Sequence, residues 1–290
     1  MGQSVAVKRV AQAIQNGALS LTTPNKPKGS YMFLGPTGVG KTETVNLLTD
    51  YLYGGGVKSK QLIRLDMSEY SSIESREGII GNARGYKGKL GEGLDASGGQ
   101  GFILLDEMEK GHVTNVDICL QMLDAARITC GGQLYNLENY YIVFTSNIGA
   151  LKLSQMTRQM NEKQIEKIIR QEFLAMGYRP EFLNRFTDII VYNFIETNIA
   201  RTIALYMLNK EVQRLCQVTG CHLSYGEEII ENVVLFGYER ANGARPMKTY
   251  VEKLLQGALR DYLLHVGKAP KIGKFMLNIE SNSVDLMQIG

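Results

Sequence analysis

The eight residues "GPTGVGKT", Gly35 to Thr42, constrain this chain more than any other stretch. They follow a short apolar run, "SYMFLG", and lead into "KTETVNLLTDYLYGG", whose apolar spacing is helical and which stops on glycines. A turn of the form G-x-x-x-x-G-K-[ST] between a buried strand and a helix is a phosphate cradle. Across Gly35, Pro36, Thr37, Gly38, Val39 and Gly40 the backbone turns its N–H groups inward around the β- and γ-phosphates, aided by the helix N-terminus. Lys41 supplies a cation to those phosphates, and the Thr42 hydroxyl is suited to bind Mg²⁺.

Three further runs read as strands that end in polar chemistry: "LIRLDMSEY", "GFILLDE" and "YYIVFTSN". Strands alternating with helices, each ending this way, imply a parallel α/β sheet with its site at the strand C-termini. In "GFILLDE", the apolar residues Phe102 to Leu105 bury the strand, and its end presents Asp106 and Glu107. Asp106 is placed to complete the Mg²⁺ shell with Thr42, directly or through water, and Glu107 to polarise a water that attacks the γ-phosphate. The competing reading is that the pair only caps a helix beginning "EMEKGHV". Asn147, at the end of "FTSN", is placed to orient the attacking water.

Around this centre, residues 4–16 place Val7, Val10, Ala11 and Ile14 at helical spacing, and "TTPNKPKG" reads as a linker. Beyond residue 193 the patterns turn helical, in "IARTIALYMLNKEVQRL", "EEIIENVVLFGY" and "RPMKTYVEKLLQGALRDYLLH", and close on a strand hairpin in "KFMLNIESNSVDLMQI". The expected division is a nucleotide-binding domain over 1–193 and a smaller domain over 194–290.

Composition narrows the function classes. The 290 residues carry a net charge of +3, too small to argue for nucleic acid or a membrane surface. No apolar run approaches the roughly 20 residues of a membrane span, and "MGQSVAVKRV" has neither a secretory apolar core nor, with Ala6, a myristoylation match. The four cysteines, at 119, 130, 216 and 221, are too sparse for a disulfide framework. Cys216, Cys221 and His222 lack a second pair to complete a zinc site. Reduced thiols and a cytoplasmic location are expected.

Taken in order, "GPTGVGKTE", "LDMSEY", "GY-G", "ILLDEMEK", "LQMLD-ARIT", "TSNIGA", "RPEFLNR" and "GARPMK" resemble the second, C-terminal ATPase module of Clp-type AAA+ unfoldases such as ClpA, ClpB and ClpV, over almost the whole chain. The resemblance implies an AAA+ P-loop three-layer α/β sandwich with a parallel sheet, followed by a small, mainly helical C-terminal domain with a short sheet. It implies an ATPase that uses ATP and Mg²⁺, assembles as a homo-oligomer (a hexameric ring in the intact protein), and threads a protein substrate through a central pore. By the same resemblance, Arg185 in "FLNR" is the arginine finger acting on a neighbour's γ-phosphate. Arg245 in "GARP" is the arginine that the small domain brings to its own nucleotide. "GYKG", Gly85, Tyr86, Lys87 and Gly88, occupies the place of the family's gripping pore loop, so the glycine-dense run Gly81–Gly93 is expected to be a flexible channel loop.

Three departures qualify the resemblance. The family's N-terminal domain and upstream ATPase module are missing, and "MGQ" stands where an apolar segment helps to enclose adenine, so a piece of a longer protein is expected. The segment between "TSNIGA" and "RPEF" lacks the tripeptide with which ClpA-type proteins dock the ClpP peptidase, so no such partner is expected and a ClpB-like or ClpV-like role is favoured. Lys87 replaces Val or Ile, and "NAR" replaces Ala-Pro-Pro. Either Arg84, Lys87 and Lys89 form a basic collar, or Lys87 lies along the channel wall while Tyr86 grips. Two other functions stay open at this stage: an oligomeric scaffold without threading, and a nucleic-acid-remodelling ATPase, against which the small charge counts.

Overall fold

The continuous apolar runs "YMFL", "FILL" and "YYIVF" have no polar face to offer water, and they pair as interior strands of one parallel sheet. In the computed structural model, which describes residues 1–19, 24–55, 59–156, 161–266, 274–280 and 283–288, that sheet has the order β2-β3-β6-β1-β7. Its strands are β1 (Gly29–Leu34), β2 (Leu62–Asp66), β3 (Gly101–Asp106), β6 (Tyr140–Ser146) and β7 (Asp188–Val191), with a two-stranded hairpin, β4 (Arg127–Cys130) and β5 (Gln133–Asn136), inserted before β6. The first two residues of the "TTPNKPKG" linker, and residues 157–160 of the segment compared with peptidase-docking proteins, lie outside the described residues.

Helices close both faces of the sheet. On one face, Tyr31, Phe33, Phe102 and Val143 meet Val10 and Ile14 of α1 (Ser4–Ala18) and Leu48 of α2 (Lys41–Tyr53). The alternate residues, Met32, Leu34, Ile103, Leu105, Ile142 and Phe144, face the larger core. That core is filled from α3 (Arg76–Ile80), α4 (Gly88–Ala96), α5 (Val113–Ala125), α6 (Ala150–Met156) and α7 (Glu162–Ala175). Truncating an interior side chain such as Phe144 here costs about 3–5 kcal/mol. The buried stripe of α1 is Ala6, Val10, Ile14 and Gly17, one position away from the expected Val7 and Ala11, which are exposed. On the polar side of α1, Arg9 forms an ion pair with Asp188 of β7.

By contacts the chain divides into two units: Gln3–Pro36 with Gly40–Asn193, and Met1–Gly2 and Thr37–Val39 with Phe194–Gly290. The second carries α8 (Thr197–Thr219), α9 (Glu227–Gly237) and α10 (Arg245–Val266) beside a sheet ordered β10-β9-β8. There β9 (Lys274–Glu280) and β10 (Ser283–Gln288) form the antiparallel pair expected from sequence, and β8 (His222–Tyr225) adds a parallel third strand.

The parallel register sets the site. Leu34 lies opposite Ser146, and Asp66 opposite Asp106, so the C-terminal ends of β1, β3 and β6 open at one edge of the sheet. In sheets of this kind ligands bind in that crevice.

Candidate active site

The loop after β1 turns through Thr37–Gly40 into α2, whose N-cap is Gly40 at φ 102°, a conformation that side chains with a Cβ rarely adopt. Lys41 is thereby directed back over the loop, with its side chain buried. Its ammonium donates to the carbonyls of Gly35 (2.6 Å) and Pro36 (2.7 Å) and to Oδ1 of Asn147 (2.8 Å). Burial lowers its pKa to about 8, an effect partly offset by the carboxylates of Glu109, Asp106 and Glu107.

Thr42 donates to Oδ1 of Asp106 at 2.9 Å, joining the start of α2 to the end of β3. The same oxygen accepts from the Thr145 hydroxyl at 2.5 Å, and Oδ2 accepts from Arg64 at 2.6 Å. A hydroxyl and a buried carboxylate held together are hard oxygen donors of the kind Mg²⁺ takes, with few protein ligands and the rest from water and phosphate. The residues therefore fit the ion that the motif implies.

Glu107 follows at φ 55°, in the left-handed region where a residue with a side chain is strained by about 1–2 kcal/mol. Its N–H donates to Oγ1 of Thr145 at 3.0 Å, which holds the backbone in that turn. Its carboxylate pairs with Lys110 at 2.5 Å. Met108–Lys110 form a 3-10 turn with no side-chain cap from Glu107, so the helix-capping reading of the acidic pair does not apply.

Three residues absent from the sequence expectations complete the network. Glu109 accepts at one oxygen, Oε1, from the backbone N–H (3.1 Å) and the side-chain Nδ2 (2.8 Å) of Asn147; its other oxygen is buried with no hydrogen-bond partner among the described residues. With Nδ2 committed to a carboxylate, Oδ1 of Asn147 must face Lys41. Arg64 projects from β2, an edge strand, and reaches the neighbouring strand's Asp106. Thr145 bridges Asp106 and Glu107. Each lies one strand or one turn from a motif residue, and nothing in the local pattern marks it.

Arg185 ends a 3-10 turn, Leu183–Arg185, seated in an aromatic cluster of Phe144, Phe173, Phe182 and Phe186. Its guanidinium pairs with Asp124 near the end of α5 at 2.5 Å, not with the Lys41–Asp106 group. Arg245 begins α10 in the other unit.

The Tyr86 segment differs from expectation. Residues 81–87 form a tight turn in which Asn82 N–H donates to the Tyr86 carbonyl at 2.8 Å, and the Tyr86 ring stands half-exposed. From Gly88 onward the run is helical, not a flexible loop. A Cβ at Gly91 would lie 2.8 Å from that of Cys130, and one at Gly93 would lie 2.7 Å from Ile63, so these glycines permit close packing of α4. Of the cations in this run, Lys87 pairs with Asp95 at 2.5 Å and Lys89 with Glu69 at 3.3 Å.

The family described as AAA domain (Cdc48 subfamily) matches residues 26–189, more than half the chain. The chain belongs to this AAA family. A second family, the C-terminal, D2-small domain of ClpB protein, matches residues 195–275 of the same AAA chain. The AAA chain is similar to chaperone protein ClpB of Prochlorococcus marinus, at 34% identity over 98% of this chain and 33% of that protein. It is also similar to chaperone protein ClpB of Lactococcus lactis subsp. cremoris, at 34% identity over 98% and 33%. With the mitochondrial chaperone protein ClpB3 of Oryza sativa subsp. japonica it shares 35% identity over 89% and 27%. The AAA chain thus spans between about a quarter and a third of the length of these relatives. Among its described residues, no helix is long and apolar enough to cross a membrane.

Proposed function

We propose that this chain is the ATP-hydrolysing module of a cytoplasmic protein-unfolding or disassembly motor. The observation that carries the reading is the pair of hydrogen bonds, Lys41 to Asn147 and Thr42 to Asp106, that tie the consecutive residues Lys41 and Thr42 to the ends of β6 and β3. Lys41 and the loop's N–H groups hold the phosphates of ATP, while Thr42 and Asp106 hold Mg²⁺. Mg²⁺ held there would supply positive charge against the phosphates. Glu107 takes the proton of the attacking water, and Asn147 orients that water.

Arg185, whose guanidinium pairs with Asp124 near the end of α5, serves a neighbouring subunit's γ-phosphate in a homo-oligomer, and Arg245 couples the smaller unit to the nucleotide. Tyr86 contacts a protein substrate in the pore of the intact hexamer, and no ClpP-type peptidase is engaged. Kinship with proteins named chaperone protein ClpB, over almost the whole chain, supports the substrate class.

The test compares wild type with Glu107→Gln and Tyr86→Ala. Glu107→Gln is expected to bind ATP with near-unchanged affinity and to lose at least about a hundredfold in hydrolysis. Tyr86→Ala is expected to lose the stimulation of hydrolysis by a permanently unfolded polypeptide. Robust turnover by Glu107→Gln refutes the base assignment; stimulation by single-stranded DNA but not by unfolded protein refutes the substrate class.

A further inference from the structure

We propose that Lys87 is a positioning residue, an electrostatic latch that fastens the Tyr86 turn to the β4–β5 hairpin and so makes the presentation of Tyr86 depend on that hairpin. The inference rests on the reading of Tyr86 as the substrate-contacting residue. Lys87 stands where the Clp-type loop has Val or Ile, neither of which can make the bonds described next.

The Lys87 ammonium donates to Oδ2 of Asp95 on α4 at 2.5 Å and to Oε1 of Gln133 on β5 at 2.9 Å. The hydroxyl of Tyr135, also on β5, donates to the other oxygen of Asp95 at 2.8 Å. The ammonium also lies 5.9 Å from the centroid of the Tyr135 ring, within cation–π range. One charge pair thus gathers three elements: the Tyr86 turn, α4 and the hairpin. Lys87 is raised above its ordinary pKa and Asp95 lowered below its own, each chiefly by the hydrogen bond to the other.

The backbone carries a second fastening beside the first. Gly131, at the hairpin turn, donates its N–H to the carbonyl of Ile80 at 2.8 Å. A Cβ there would lie 2.9 Å from the Tyr86 carbonyl oxygen and 3.0 Å from the Lys87 Cα, so only glycine allows this approach. The hairpin is spliced between α5, which follows the Asp106–Glu107 strand, and β6, which ends at Ser146 just before Asn147. Its two roots therefore descend from both strands that carry the hydrolytic residues, and its tip touches the turn that carries Tyr86. Both partners of the latch are part-exposed, so the bond is weak and reversible and is screened by salt.

The experiment follows amide hydrogen exchange at Asn82 and Gly131 in the whole chain, for wild type, Asp95→Asn, Tyr135→Phe and the charge reversal Lys87→Asp with Asp95→Lys. At low ionic strength, Asp95→Asn is expected to exchange about two- to fivefold faster at both amides and Tyr135→Phe by a smaller factor, with the charge reversal returning toward wild type. Near 1 M salt, where the screening length falls to about 3 Å, the differences are expected to collapse. In parallel, Asp95→Asn should lower the stimulation of hydrolysis by a permanently unfolded polypeptide while leaving unstimulated turnover unchanged.

Equal exchange in Asp95→Asn and wild type overturns the latch, as does an exchange difference that persists undiminished in high salt. Faster exchange in Asp95→Asn together with unaltered stimulation in Tyr86→Ala supports the latch and removes the substrate-contact reading beneath it.

Discussion

The carboxamide oxygen of Asn147 accepts from the Lys41 ammonium at 2.8 Å, and its orientation is set from behind by Glu109, which takes the amide nitrogen at 2.8 Å. The amide cannot flip without facing its oxygen toward a carboxylate. The side chain proposed to orient water is thus aligned by Glu109, two residues beyond Glu107. Glu109→Gln, which can donate as well as accept, frees the amide to adopt either orientation. Loss of such an orienting partner typically costs about 10–100-fold in function. Hydrolysis is expected to fall by that range while nucleotide affinity stays within about threefold. A loss confined to affinity, measured with a fluorescent nucleotide, would contradict the positioning role.

Arg64 is about half exposed, yet its partner Asp106 is almost fully buried. Removing the cation leaves a buried carboxylate with hydroxyl donors only. The cost falls between the ~0–1 kcal/mol of exposed pairs and the ~3–5 kcal/mol of broken buried ones. Arg64→Ala is expected to lose about 2 kcal/mol, or roughly 4–8 °C in Tm. ATP with Mg²⁺ should recover more of that loss than ATP with EDTA in a thermal-shift measurement, because the ion supplies the missing positive charge. An unchanged Tm would show that the pair contributes nothing.

Gly81 and Gly85 flank the Tyr86 turn at φ 74° and 93°. A Cβ at Gly81 would lie 1.7 Å from the Tyr86 carbonyl oxygen, whereas one at Gly85 meets nothing within 4 Å. Gly85→Ala is expected to cost only the backbone strain, about 1–2 kcal/mol. Gly81→Ala must add displacement of the turn and be the more destabilising of the two in urea titrations. The reverse order would mean that the turn is held differently.

The four cysteines form no disulfide among the described residues and differ in access. Burial pushes Cys119 up to about 12 and Cys130 up to about 11, and Cys221 is also buried. Because the thiolate is the reactive form, brief alkylation at pH 8 should modify Cys216 first, with the other three labelled only on unfolding. Early mass-spectrometric labelling of Cys130 would show that the hairpin opens readily.

Much of the α/β architecture is legible along the chain, for reasons particular elements make plain. β1, β3 and β6 are uninterrupted apolar runs, and a strand buried on both faces has no other composition available. Other elements escape the periodicity. The β4–β5 hairpin is not among the expectations, although "RITC" and "QLYN" flank a Gly-Gly turn of the hairpin kind. The start of α7 is a capping box in which Asn161 and Gln164 exchange hydrogen bonds, a signal carried by "NEKQ". In α4 the glycine count misled: a helix tolerates glycine where another element must approach closely, and Gly91 and Gly93 are such places. In α1, Val10 and Ile14 are buried as their spacing implies, while Ala6 and Gly17 take the places expected of Val7 and Ala11.

What the sequence determined alone is the chemistry at the strand ends: the phosphate cradle with Lys41 and Thr42, the Asp106–Glu107 pair and the polar close of β6. Each is a local pattern, a buried strand running into a turn, and local patterns set their own geometry. Tertiary structure decided the partners. Arg64 joins Asp106 across 42 residues, Glu109 joins Asn147 across 38 and Lys87 joins Gln133 across 46. A charged side chain has no intrinsic partner. The strand order β2-β3-β6-β1-β7 and the hairpin spliced into it bring these groups within hydrogen-bonding distance, and neither follows from spacing along the chain.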